Sequence, residues 1–305
     1  MSEPGSVPQS EFSTHIDKKP SLPIPTPEVF QDKEFYVTSR GNPEQEELEM
    51  AECIVGSLDD IELIGGPNGP RLKKDICIPG TGNNPTVLIV DRHQKATFYK
   101  QILIEAGCLT SQVDECFEDA HRDAMPILDE KKEVCLDLSS FEDLREIAPS
   151  LRIANVHRPA LEVGQLKTLQ FVSNEENNFV TGGKHLGNRS TLEAIQADFP
   201  MTKITEIARS ENGNLYQRRS SCSHVFNFDM DVLYQETDCS CEPESGEEIL
   251  TKDDIAKSFR KRREAGFNSA NYDLIIIAIS PNHTDPENII DQTKQVVMSL
   301  TEGGN

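Results

Sequence analysis

The chain of 305 residues carries 52 Asp and Glu against 30 Lys and Arg, a formal charge of −22. That excess repels phosphate backbones, and with no Trp and 6% aromatic residues there is little for single-stranded bases to stack on, so nucleic acid is excluded as a partner. No apolar run reaches the about 20 residues that span a bilayer. The opening "MSEPGSVPQSEF" has neither the basic nor the apolar region of a secretory signal, so a cytoplasmic protein with eight reduced cysteines is expected.

Residues 1–47 hold seven prolines with few apolar residues between them. Such a segment buries too little surface to offset chain entropy and reads as a disordered arm with polyproline-II character. Residues 48–84 read as an acidic linker with a short helix, followed by a Gly- and Pro-rich loop.

The core is expected over 85–305, a span that admits an insertion at about 150–250. "TVLIV" (Thr86 to Val90) is a continuous apolar run, as in a strand covered on both faces, and a helix follows it to Gly107. The spacing predicts a helix over 111–128, a strand over 131–138, a helix capped by Ser139 or Ser140, and a strand over 167–172. Beyond a polar loop, Ser190 and Glu193 form a capping-box pattern at the start of the next helix. A strand over 224–234, a basic-faced helix ending in "SFRKRREAG", the buried strand "YDLIIIAISP" and a closing helix complete the chain. Alternating strands and helices predict an α/β fold with a doubly wound, mainly parallel sheet of flavodoxin-like or TIR-like type.

Chemistry is sought first at strand ends, where doubly wound sheets gather their functional groups. Asp91 and Asp137 each end or follow a predicted strand and form an acidic strand-end pair. "VLIVDRHQ" through "EVCLDLSS" resembles the receiver domain of response regulators, which implies Mg²⁺ and phosphoryl chemistry. Arg92 stands where that family has its second acidic residue, so an intact phosphorelay is not expected. "TVLIVDRHQKATFYKQIL", "EVCLDLSSFEDL" and "LIIIAISPNHT" together resemble the TIR-like SEFIR domain of interleukin-17 receptors and their adaptors. That resemblance implies an intracellular signalling adaptor acting through other proteins, by homotypic domain pairing, without cofactor or catalysis.

Other residues suggest alternatives. "FNFDMDVLY" places Asp229 and Asp231 after an apolar strand, a pattern similar to the DxD motif of GT-A glycosyltransferases. It implies Mn²⁺ or Mg²⁺ between the carboxylates and a nucleotide sugar. Cys222, His224, Cys239 and Cys241 have the residue types of a tetrahedral Zn²⁺ site. "QRRSSC" sets two arginines ahead of Ser220 and Ser221, which makes both serines candidate phosphorylation sites.

Overall fold

The computed structural model describes residues 21–38, 47–66, 69–119, 123–124, 138–151, 155–173, 192–208, 216, 218, 220–237, 250–281 and 287–301. A short helix α1 (Pro27–Phe30) opens it, followed by strands β1 (Phe35–Val37), β2 (Glu49–Ala51), β3 (Cys53–Val55), β4 (Leu63–Gly66), β5 (Gly69–Leu72) and β6 (Asp75–Ile78). Then come β7 (Thr86–Val90), α2 (Ala96–Glu105), β8 (Val113–Glu118), α3 (Phe141–Ile147), α4 (His157–Glu162), β9 (Leu166–Ser173) and α5 (Leu192–Asp198). β10 (Lys203–Ala208), β11 (Ser223–Asp229), α6 (Asp231–Thr237), α7 (Lys252–Glu264), β12 (Leu274–Ala278) and α8 (Ile289–Thr301) complete it.

Eight strands form the central sheet in the order β10-β9-β8-β11-β12-β7-β6-β3. Neighbours run parallel except β6 and β7, which pair antiparallel. The expected α/β class with a mainly parallel sheet is therefore present. The flavodoxin-like or TIR-like form is corrected, because the sheet is wider and its polarity reverses at β6.

The period of two along each strand divides the interior into two cores. Leu88 and Val90 of β7, with Leu274, Ile276 and Ala278 of β12, pack with α2, α3 and α4. The alternate residues Val87, Ile89, Ile275 and Ile277 pack with α6, α7 and α8. Both faces are covered, which is why these strands are apolar throughout.

Three expectations change. The Pro-rich arm has a packed part: Phe30, Phe35 and Val37 are buried, and Phe35 stacks on Phe98 of α2 at 4.6 Å between ring centroids. Three aromatic or branched residues give this stretch the core contact that its prolines conceal. The linker over 48–84 supplies β2 to β6, of which β3 and β6 join the central sheet, and residues 150–250, a span that admitted an insertion, supply its β9, β10 and β11. Most consequentially, the helix expected over 111–128 contains the buried strand β8, "VDECFE", at the middle of the sheet. Three of its six residues are carboxylates, so it does not read as a strand until their partners are known.

Candidate metal centre

β7, β8 and β11 run parallel, so their carboxyl ends open on one side of the sheet. β7 leads into a single 3₁₀ turn, His93–Lys95. Asp119 directly follows β8, and Asp229 ends β11 one residue before the turn into α6, whose first residue is Asp231. These four residues and Asp123 converge. His93 Nδ1 lies 2.5 Å from Asp229 Oδ2 and 3.1 Å from Asp119 Oδ2, and His93 Nε2 lies 3.1 Å from Asp123 Oδ2. Asp229 is oriented by Ser280, whose Oγ donates to Oδ2 at 2.7 Å, and its Oδ1 accepts from the Asp231 backbone N–H at 3.0 Å.

Among the described residues, two groups that could hold a metal result: His93 with Asp119 and Asp123, and Asp119 with Asp229 and Asp231. Within each group one ligating atom per residue lies within 4.8 Å of the others, and Asp119 belongs to both. Burial raises the Asp231 carboxyl well above the usual range, and the charges of Asp119 and Asp229 raise it further. His93 answers that crowding. Burial alone would lower its pKa, but the Asp229 charge and hydrogen bonds with Asp119, Asp123 and Asp229 hold it well above the ordinary histidine value. The imidazolium thus supplies a positive charge among carboxylates, where a divalent cation would do the same with imidazole and oxygen donors. The residues present fit a metal, so the expectation of a protein with no cofactor site is corrected.

Asp229 and Asp231 enter the cluster, but Asp91 does not. Its Oδ1 lies 2.5 Å from Lys95 Nζ, and Lys95 also bonds Asp75 at 3.1 Å. Tyr99 Oη donates to Asp75 Oδ2 at 2.6 Å. Burial and the neighbouring Asp91 push Asp75 upward, while the Lys95 ammonium pulls it back. Asp91 therefore anchors the turn that carries His93. Asp137, Cys239 and Cys241 lie outside the described residues.

Cys222 and His224 sit at the amino end of β11, the opposite end from the cluster, and His224 Nε2 lies 3.2 Å from Asp114 Oδ2. Ser220 Oγ donates to the same carboxylate, whereas Ser221 is exposed. Burial would raise Asp114, but hydrogen bonds from His224, Ser220 and Thr168 hold it down at about 2. A phosphate on Ser220 would put like charge against Asp114.

His93, Asp119 and Asp123 went unread in the sequence. A usable signal was "DAHRD", residues 119–123, with an acid or imidazole at every second position. His121 of that run lies outside the described residues.

His157 belongs to the same wall. Its ring meets Phe117 edge-on at 4.1 Å and Phe171 at 5.7 Å between centroids, and Nδ1 lies 3.7 Å from Glu115 Oε1. Burial pushes its pKa down to about 4. The folded state thus refuses a proton that the unfolded chain takes up near pH 6.5, and stability falls as pH drops from 6.5 toward 4. His157→Leu should remove that slope, narrowing the stability lost between pH 7 and pH 5 by about 2 kcal/mol. Urea denaturation at the two pH values measures it, and an unchanged slope in the variant would show that His157 takes up its proton alike in the folded and unfolded chain.

No family model matches the chain, and no curated protein matches it in sequence. Solved structures do resemble it. Arginase from Medicago truncatula is 12% identical with a TM-score of 0.41, covering 76% of this chain and 60% of its own. Trypanosoma cruzi formiminoglutamase with Mn²⁺ is 10% identical with a TM-score of 0.41, covering 71% and 65%. Proclavaminate amidino hydrolase from Streptomyces clavuligerus is 10% identical with a TM-score of 0.38, covering 70% and 64%. The chain thus spans less than two thirds of each of these proteins. None of these is a receiver or SEFIR domain, and the eight-stranded sheet reversed at β6 is not theirs, so that resemblance is corrected, and with it the adaptor that pairs with other proteins. Each of the three carries the name of an enzyme and none that of a glycosyltransferase, against the lean away from catalysis and the glycosyltransferase alternative. The likeness concerns chain arrangement; the chemistry of the site rests on its own atoms.

Proposed function

We propose that the protein is a metal-dependent hydrolase with its centre at His93, Asp119, Asp123, Asp229 and Asp231. The observation that carries this reading is the pair of ligand groups sharing Asp119. Each group could hold a divalent ion, with Asp119 available to both, and the mix of imidazole with mostly carboxylate oxygen would favour Mn²⁺. When bound, such ions lower the pKa of water and polarise the bond to be hydrolysed.

The chain's own residues do the rest. His93 would have to give up its proton to serve as a ligand, so binding would release acid. Ser280 keeps Asp229 aimed into the cluster. His157, neutral at pH 7, adds no positive charge to compete with a cation. The carboxylate-rich wall favours a cationic substrate, and a small amidino or guanidino compound fits that field. Cys53, Cys77, Cys108 and Cys222 are free thiols among the described residues, which supports a reducing compartment, the cytosol. Among the described residues no helix is long and apolar enough to cross a membrane.

The test is to strip the full chain with chelator, reload it with Mn²⁺, Mg²⁺ or Zn²⁺, and follow urea or ammonia release from a panel of amidino compounds. Turnover restored by Mn²⁺ is expected. Protein shown to hold Mn²⁺ yet inert toward the whole panel would overturn the hydrolase reading.

A further inference from the structure

Arg262 of α7 is completely buried, a costly place for a guanidinium unless each donor is met. Its Nε donates to Glu118 Oε2 at 2.7 Å. Nη2 donates to Glu236 Oε1 at 2.8 Å, and Nη1 to Glu236 Oε2 at 3.2 Å and to Ser258 Oγ. The flat faces are covered by Phe228 and Phe259, each ring centroid 5.0 Å from the guanidinium carbon. Tyr216 Oη donates to the other oxygen of Glu118.

Three of these contacts share a property. Glu118 is bonded in sequence to Asp119, Phe228 to Asp229, and Glu236 lies on the helix that begins at Asp231. Strand alternation explains the arrangement: Cys116, Phe226 and Phe228 face the α7 side, and Glu118 follows Cys116 by two residues. One planar cation therefore grips the residues behind all three members of the second ligand group.

We propose that Arg262 is a positioning residue that sets the spacing of Asp119, Asp229 and Asp231 for metal. The proposal rests on the metal reading of the site. A core that needed only filling would take an apolar side chain here. A forked cation between Glu118 and Glu236 instead fixes two carboxylates on separate elements at one distance.

The test keeps charge and removes geometry. Arg262→Lys retains the positive charge without the fork, and Glu236→Asp retains the negative charge with a shorter reach. Val297→Ala, in the same core but outside the network, serves as the control for lost stability. Mn²⁺ affinity is read by titration calorimetry on the full chain, beside urea denaturation. Both network variants should bind Mn²⁺ more than about tenfold more weakly, the usual scale for losing an outer support of metal ligands, while the control stays within about twofold. If Arg262→Lys does not fold, Glu236→Asp carries the comparison. Wild-type binding with the folded network variants within twofold of it would overturn the clamp alone, as would equal weakening in the control. Wild-type protein that takes up no Mn²⁺ would overturn the metal reading and the clamp with it.

Discussion

Asp119→Ala is expected to leave the protein unable to hold either metal ion, whereas Asp123→Ala should cost one. Asp119 is common to both ligand groups, while Asp123 serves only the group built on His93. After loading and desalting, elemental analysis should find two Mn²⁺ per wild-type chain, about one in Asp123→Ala and none in Asp119→Ala. Without cation, Asp119 both adds like charge beside Asp229 and Asp231 and pairs with the His93 imidazolium at 3.1 Å, so its removal loses an ion pair as well as a repulsion. Mn²⁺ at 100 times its Kd adds ~2.7 kcal/mol per site to wild type, and that gain should vanish in the variant. An Asp119→Ala chain that retained two ions would show that the shared carboxylate is no ligand.

The second large effect lies one layer below. Lys100 of α2 is fully buried and its Nζ donates to Glu115 in the middle of β8. Glu115 also accepts from Asn227 Nδ2 at 2.8 Å. Burial would raise its pKa, but the charge of Lys100, with the hydrogen bonds from Lys100 and Asn227, keeps it below the usual value. Lys100→Met would leave that carboxylate charged and unpaired, at a cost of about 3–5 kcal/mol. His157 offers partial relief, because Lys100 is one of the charges holding its proton off. The double variant Lys100→Met with Glu115→Leu removes both charges and should recover most of the loss. Urea denaturation of the four proteins in the cycle measures this, and a single-variant cost below about 1 kcal/mol would mean that the pair is neutral when folded.

The same buried charges mark the boundary of what sequence showed. β7 and β12 are apolar along their length and were legible, as was the cap of α3 at Ser140. β8 was not. Asp114, Glu115 and Glu118 suggest a wet surface, yet they are paired with His224, Lys100 and Arg262, the last 144 residues away. Losing β8 hid Asp119, and without Asp119 there was nothing to join Asp229 and Asp231 to His93. Asp91, at the end of the apolar run, stands two residues short of His93 and is paired with Lys95. α6 was absorbed into the preceding strand because "DVLY" continues the apolar pattern of β11 past its end. Local pattern reports what a segment can bury; it does not report which distant charge will meet it.

The reversed strand β6 divides the loop entropy of the site unevenly. Because β6 runs against β7, its first residue, Asp75, lies beside the end of β7, where Asp91 and Lys95 are. Pairing β6 with β7 closes only the short connection 79–85, whereas Ser223 of β11 bonds Thr110, just ahead of β8, from 113 residues away. Loop closure grows with the logarithm of length, so the β8–β11 pairing costs about 2–3 kcal/mol more in chain entropy than the β6–β7 pairing. The anchor of His93 thus comes with a nearly local contact, while Asp119 and Asp229 meet only across one of the chain's long closures. A cation bound between them would act as a cross-link over that closure, tying the middle of the sheet where the backbone gives it least help.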